Sequence, residues 1–156
     1  MNISRKIVSV LKKKRIKISL AESCTGGMVS SAIVSVNGAS KVFSMSLITY
    51  SNQSKISILK LSKKIINKYG SVSVQCCLSM VNNLSKISKS KICVSITGVA
   101  GPHGGTKQKP VGLVYIGIKS GKKVIVSKNQ FRNKGRSSIQ RASVKKSISL
   151  LLKLLK

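Results

Sequence analysis

Carboxylates are almost missing from this sequence. Against 30 lysines and arginines stands a single acid, Glu22, which leaves a net charge of +29 on 156 residues. Ion-pair networks are thereby excluded as a source of stability. The folded chain repels itself, so it should favour salt or polyanions. Tryptophan is absent and aromatic residues make up 3% of the chain. The core must therefore be built from Ile, Val and Leu, and nucleic-acid bases would find few rings to stack on. One His and one Glu cannot complete a common zinc site, and the cysteines (Cys24, the adjacent Cys76 and Cys77, and Cys93) form no C-x-x-C pair. Neither a metal nor another cofactor is expected. No apolar run approaches the roughly 18 residues of a membrane span, so no membrane partner is expected. The first segment, MNISRKIVSVLKKK, lacks a long apolar stretch and a small-residue cleavage site. The expected location is the cytoplasm.

What is present is a well-patterned α/β chain. Its length suits one domain over residues 1–156, long enough to bury a continuous core. Ile3, Ile7, Val10 and Leu11 recur at helical spacing; Ile16, Ile18 and Leu20 then alternate with Lys17 and Ser19 as a strand that runs into AESCTGG. From Gly26 to about Val36, apolar residues recur at three and four and predict a helix, closed by Asn37-Gly38. A strand around Val42 to Tyr50 and two short helical stretches through Ile66 come next. After the break at Tyr69-Gly70, Ser71 to about Ile87 reads as a helix with Cys76, Cys77, Met80 and Leu84 on its buried face. KICVSI and VGLVYIGI read as strands on either side of a Gly- and Pro-rich loop, with another strand near Val124 to Phe131. The final helix, from about Ser137, places Ile139, Ala142, Ile148, Leu151, Leu152 and Leu155 on an inward face. Helices alternating with strands imply a layered α/β sandwich, with the Gly-rich loops at one edge of the sheet.

Three segments carry groups suited to chemistry. Ser23 precedes Thr25-Gly26-Gly27, a turn whose backbone N–H groups and helix dipole suit a phosphate or an oxyanion, although Ser, Thr and Gly before a helix are also ordinary capping residues. A lone serine needs a base to attack an amide. His103 is the only histidine, so the available bases are lysine and tyrosine, with the pKa lowered by neighbouring positive charge or burial. ITYSNQSK supplies Tyr50 and Lys55, which reach one site if a helix starts after Tyr50. TGVAGPHGG, followed by KPVG, lets backbone approach a ligand closely at Gly98, Gly101, Gly104 and Gly105, while Pro102 and Pro110 stiffen it. It matches neither G-x-G-x-x-G nor a P-loop. His103 within it reads as a surface loop residue.

AESCTGG, GASKVF, ITYSNQSK, YGSVS and SITGVAGPHGGTKQKPVG, in this order and at these separations, resemble the CinA C-terminal family, the nicotinamide-nucleotide amidohydrolases. The similarity spans nearly the whole chain. It implies a three-layer α/β/α sandwich with a mixed sheet that hydrolyses nicotinamide mononucleotide to nicotinate mononucleotide and ammonia without a metal. By the same resemblance Ser23 is the nucleophile, and Lys55 with Tyr50 takes its proton and passes it to the leaving ammonia. Thr97, beside Gly98 and Gly101, helps to bind the amide or its oxyanion, and Arg136 holds the nucleotide phosphate. Glu22 matches a family glutamate, with orientation of Lys55 or Thr25 as its physical role; Thr25 and Gly26 complete the substrate-binding set. Ser46, Val74 and His103 depart from the family pattern at positions outside the proposed catalytic set. Larger members carry a further N-terminal domain, for which 156 residues leave no room.

The leading expectation is therefore an amidohydrolase acting on a pyridine mononucleotide, with a homodimer as an open possibility. Two alternatives stand beside it: a sequence-blind polyanion or nucleic-acid binder on the same fold, and an inactive nucleotide-binding sensor.

Overall fold

The computed structural model describes residues 2–156. Along the chain run α1 (Ile3–Lys14), β1 (Ile18–Glu22), α2 (Met28–Val34), β2 (Phe43–Ile48), α3 (Asn52–Ser57) and α4 (Lys63–Tyr69). They are followed by α5 (Val74–Ser88), β3 (Ile92–Gly98), β4 (Leu113–Ser120), β5 (Lys123–Gln130) and α6 (Arg136–Leu154). A 3-10 turn, Ala39–Lys41, precedes β2 and has no counterpart in the sequence reading. The sheet order is β2-β1-β3-β4-β5. β1 lies parallel to both β2 and β3, whereas β4 is antiparallel to β3 and to β5, so the sheet is mixed as expected.

Side chains alternate across each strand, and the sheet consequently serves two cores. Leu20, Val94, Ile96 and Ile116 enter a core shared with Ile7 and Leu11 of α1, Val29 and Ile33 of α2, and Ile139, Ile148 and Leu151 of α6. Ala21 and Cys93, on the opposite face, pack with Cys76, Met80, Val81 and Leu84 of α5 and with Leu59, Leu61 and Ile66. The result is an α/β/α sandwich. Tyr115 and Leu113 of β4 pack on Cys77 of α5, but between them and the rest of the face Ser95 and Gly117 are small, and the helix sits correspondingly close there. A Cβ on Gly117 would lie 2.6 Å from Ser95 Oγ and 3.1 Å from Cys77 Sγ, so the helix seats only because β4 has no side chain there.

Boundaries differ from the sequence reading where the backbone turns left-handed. Arg15 adopts φ 54°. Its N–H donates to Lys12 O at 3.1 Å and that of Ile16 to Leu11 O at 3.0 Å, the paired bonds of a Schellman cap. Ile16 thus belongs to the end of α1, and β1 starts at Ile18 rather than Ile16. Gly26 and Gly27 take φ 57° and 98°, values outside a right-handed helix, which delays α2 to Met28. Ser73, not Ser71, caps α5, its hydroxyl accepting from Cys76 N at 3.1 Å. On α6, Ile139, Ile148, Leu151 and Leu155 are buried as the spacing predicts, while Ala142 and Leu152 are half-buried.

Candidate active site

Ser23 directly follows β1. Its N–H donates to Ile96 O at 3.0 Å, extending the β1–β3 ladder by one residue, and its carbonyl accepts from Gly26 N at 3.0 Å, closing the turn. Among the described residues, the N–H groups of Cys24 and Thr25 in this turn have no acceptor. The nucleophile candidate therefore sits beside two unengaged donors.

Glu22, the last residue of β1, is fully buried. Its Oε2 accepts from Thr25 Oγ1 at 2.6 Å and from the N–H groups of Gly27 and Val29 at 3.1 Å each. Its Oε1 accepts from Ser30 N at 2.8 Å and Ser30 Oγ at 2.5 Å. Two parts of the sequence reading are corrected here. The positive end of α2 is already occupied by this carboxylate and is not open to a substrate anion. Glu22 holds Thr25, one of its two expected partners, but not Lys55. Glu22 and Thr25 are buried behind the cavity wall, and Gly26 is exposed at the surface away from it.

Lys55 belongs to α3, which starts after Ser51, and its side chain is 1% exposed. Its Nζ lies 2.9 Å from Ser23 Oγ, 2.8 Å from Thr49 O and 3.3 Å from Tyr50 O. The two carbonyls can only accept, so they take two N–H bonds. In the neutral amine the remaining position is a lone pair directed at the serine hydroxyl. Burial lowers the Lys55 pKa from the ordinary lysine value, which favours that neutral form. Burial also pushes the neighbouring Cys24 thiol up to about 12. That thiol stays protonated near neutral pH and is a poor nucleophile.

Tyr50 and Arg136 are brought together at the rim. Arg136, the first residue of α6, donates from Nη2 to Tyr50 Oη at 2.6 Å and from Nη1 to Gly101 O at 2.8 Å. Accepting from Arg136 leaves the phenolic proton free to be donated elsewhere. Thr97 Oγ1 donates to Ser71 O at 2.7 Å. Its proton is committed, so toward a ligand it can only accept, as from a carboxamide N–H, and it cannot donate to an oxyanion.

These groups surround a cavity of about 250 Å3 lined by Ser23, Cys24, Tyr50, Lys55, Thr97, Gly98, Gly101 and Arg136. His103, read from sequence as a surface loop residue, is exposed and also borders it. No carboxylate lines it, so the cavity is suited to an anion. Gln140 was missed by the sequence reading. It lies four residues after Arg136 and donates from Nε2 to Cys24 O at 2.9 Å, tying the nucleophile turn to α6. The four-residue spacing from Arg136, one helical turn on the same face, was the available signal. Among the described residues, no three His, Cys, Asp or Glu side chains come together as a metal site. No helix there is long and apolar enough to cross a membrane.

A family model described as the CinA C-terminal domain matches residues 1–155. A CinA-like protein of Dictyoglomus thermophilum is 50% identical over 112 residues, covering 72% of this chain and 27% of its own length. A CinA-like protein of Pseudothermotoga lettingae is 46% identical over 118 residues, covering 76% of this chain and 29% of its own. The chain thus spans less than a third of the length of these relatives. The crystal structure of the competence/damage inducible protein CihA from Agrobacterium tumefaciens matches with a TM-score of 0.95 at 32% identity, covering 99% of this chain and 94% of that one.

Proposed function

The chain belongs to the CinA C-terminal domain family, and on that premise we propose that it is an amidohydrolase converting nicotinamide mononucleotide to nicotinate mononucleotide and ammonia. The observation that carries this reading is the 2.9 Å contact between Ser23 Oγ and the buried Lys55 Nζ. An amine held by two carbonyls, with its pKa lowered by burial, has the makings of a general base for a serine.

Neutral Lys55 takes the proton of Ser23 as Oγ bonds to the carboxamide carbon. The C=O π pair moves to oxygen, and the resulting charge falls to the free N–H group of Cys24, which lines the cavity. Collapse breaks the C–N bond, and the leaving nitrogen departs as ammonia with a proton supplied by Lys55, through or beside Tyr50. Ser23 is left esterified by the nicotinate carbonyl. Water then attacks that ester, giving its proton to Lys55. The C–Oγ bond breaks, Ser23 regains a proton, and nicotinate mononucleotide leaves. Thr97 accepts an amide N–H of the bound substrate. Arg136 retains three N–H groups beyond the two it uses on Tyr50 and Gly101, enough to hold the nucleotide phosphate.

The test is ammonia release from nicotinamide mononucleotide by the purified protein at moderate salt. Ser23→Ala should lower turnover by a factor on the order of 10^3 or more. Lys55→Arg keeps the charge but cannot yield a neutral base near neutral pH, so it should be equally inactive. Because the neutral amine is the working form, kcat/KM should rise with pH and level off below the pH at which an ordinary lysine titrates. Turnover by Ser23→Ala at the parent rate would overturn the mechanism. No release from a folded parent protein would overturn the substrate.

A further inference from the structure

The opposite end of the strands, where β1 and β2 begin, carries a concavity of about 450 Å3 whose walls are Lys12, Arg15, Lys17 and Lys41. Every side chain lining it is a cation. Lys12 comes from the last turn of α1, Arg15 from its cap, Lys17 from the link to β1, and Lys41 from the 3-10 turn before β2. A second concavity of about 300 Å3 shares Lys12 and adds Arg5 and Lys13 along the same helix. All six lie on α1 or near the starts of β1 and β2, whereas Ser23 and Tyr50 follow the ends of those strands. The five residues of β1 separate the two regions by about 16 Å.

We infer that this cationic trough binds the phosphodiester backbone of a single-stranded nucleic acid without reading its sequence. The six positive charges have no carboxylate within the molecule to answer them, since Glu22 is buried and engaged with the α2 turn. A chain of phosphates matches several cations set along one helix better than any single small anion. Concavities of this size admit the backbone of one strand rather than a duplex. Neither is lined by an aromatic ring, so bases go unstacked and unread.

Arg15 reaches the trough from the left-handed cap of α1, φ 54°. Lys60 and Lys89 take the same conformation outside the trough, φ 59° and 54°, so the cap fixes where the Arg15 side chain leaves the backbone and is not a separate sign of binding. Lys12 is held against the turn before β2. Its Nζ lies over Gly38, 3.1 Å from where a Cβ would sit, so a side chain at that position would press on the ammonium.

The experiment is fluorescence anisotropy with a labelled oligothymidylate of ~12 nucleotides across a salt series. The protein is compared with a fourfold variant, Lys12→Gln, Arg15→Gly, Lys17→Gln and Lys41→Gln. A control of equal net charge carries Lys63→Gln, Lys64→Gln, Lys122→Gln and Lys128→Gln, four exposed positions elsewhere. The trough variant should lose affinity by at least about tenfold near 100 mM salt. Its log K against log salt slope should shrink by about 3, the loss of four phosphate contacts. The control should stay within about twofold of the parent. Equal losses in trough variant and control would assign binding to diffuse charge and overturn the inference. So would trough-dependent binding of inorganic polyphosphate without binding of the oligonucleotide. Arg15→Gly alone preserves the cap, so weaker binding by that single variant with undiminished thermal stability would support the site free of any folding defect.

Discussion

At the scale of single residues, the one remaining acid explains itself. Glu22 receives only donors: two N–H groups and a threonine hydroxyl on one oxygen, an N–H and a serine hydroxyl on the other. A carboxylate is the only side-chain group of this length whose two oxygens both accept. Glu22→Gln must turn an NH2 toward one of these donor sets and leave buried N–H groups unpaired. The expected cost is about 2–4 kcal/mol, read as a lower urea midpoint at unchanged slope, with turnover falling because the Ser23 turn is no longer braced. A variant as stable as the parent would show that the network contributes nothing to holding the turn. Charge alone does not distinguish this role from catalysis in the sequence, which is why the acid was placed with the substrate and only the structure puts it behind the wall.

Among the elements, α6 has a role that its apolar spacing does not announce. Its inward residues pack against α1 and α2, but its first turns do something separate. Arg136 grips Tyr50 and Gly101, and Gln140 grips the carbonyl of Cys24. One helix thereby fastens the nucleophile turn, the Tyr50 segment and the Gly-rich loop. Gln140→Ala should lower kcat roughly tenfold while KM changes little and stability drops by about 1 kcal/mol. Steady-state kinetics and thermal unfolding check this, and an unchanged kcat would remove Gln140 from site positioning. The strands, the buried face of α5 and the inward face of α6 were legible because periodicity follows from which side chains must leave water. The ends of α1 and α2 were not, since nothing in the identity of Arg15 signals a left-handed backbone. The segments of the site were legible as motifs. What Thr97 donates to, what Glu22 caps and what Gln140 holds depend on partners 26, 8 and 116 residues away in sequence, respectively, which local pattern does not supply.

For the molecule as a whole, the charge of +29 sets the conditions under which it works. Raising salt from low to physiological levels, or adding sulfate, should raise Tm because counterions screen self-repulsion. Over the same range kcat/KM for an anionic substrate should fall as steering is screened. Opposite slopes of Tm and kcat/KM against ionic strength are the signature, measured by calorimetry and ammonia release, and a Tm insensitive to salt would show that the charges are too dispersed to matter. The reach of α6 across the chain also sets a timetable. Cys24 is synthesised 116 residues before Gln140, a wait of about 6–23 s at ribosomal rates of roughly 5–20 residues per second. During that interval the Ser23 turn exists without its fastening, so a nascent chain carries the serine and the lysine long before α6 ties their segments into one cavity.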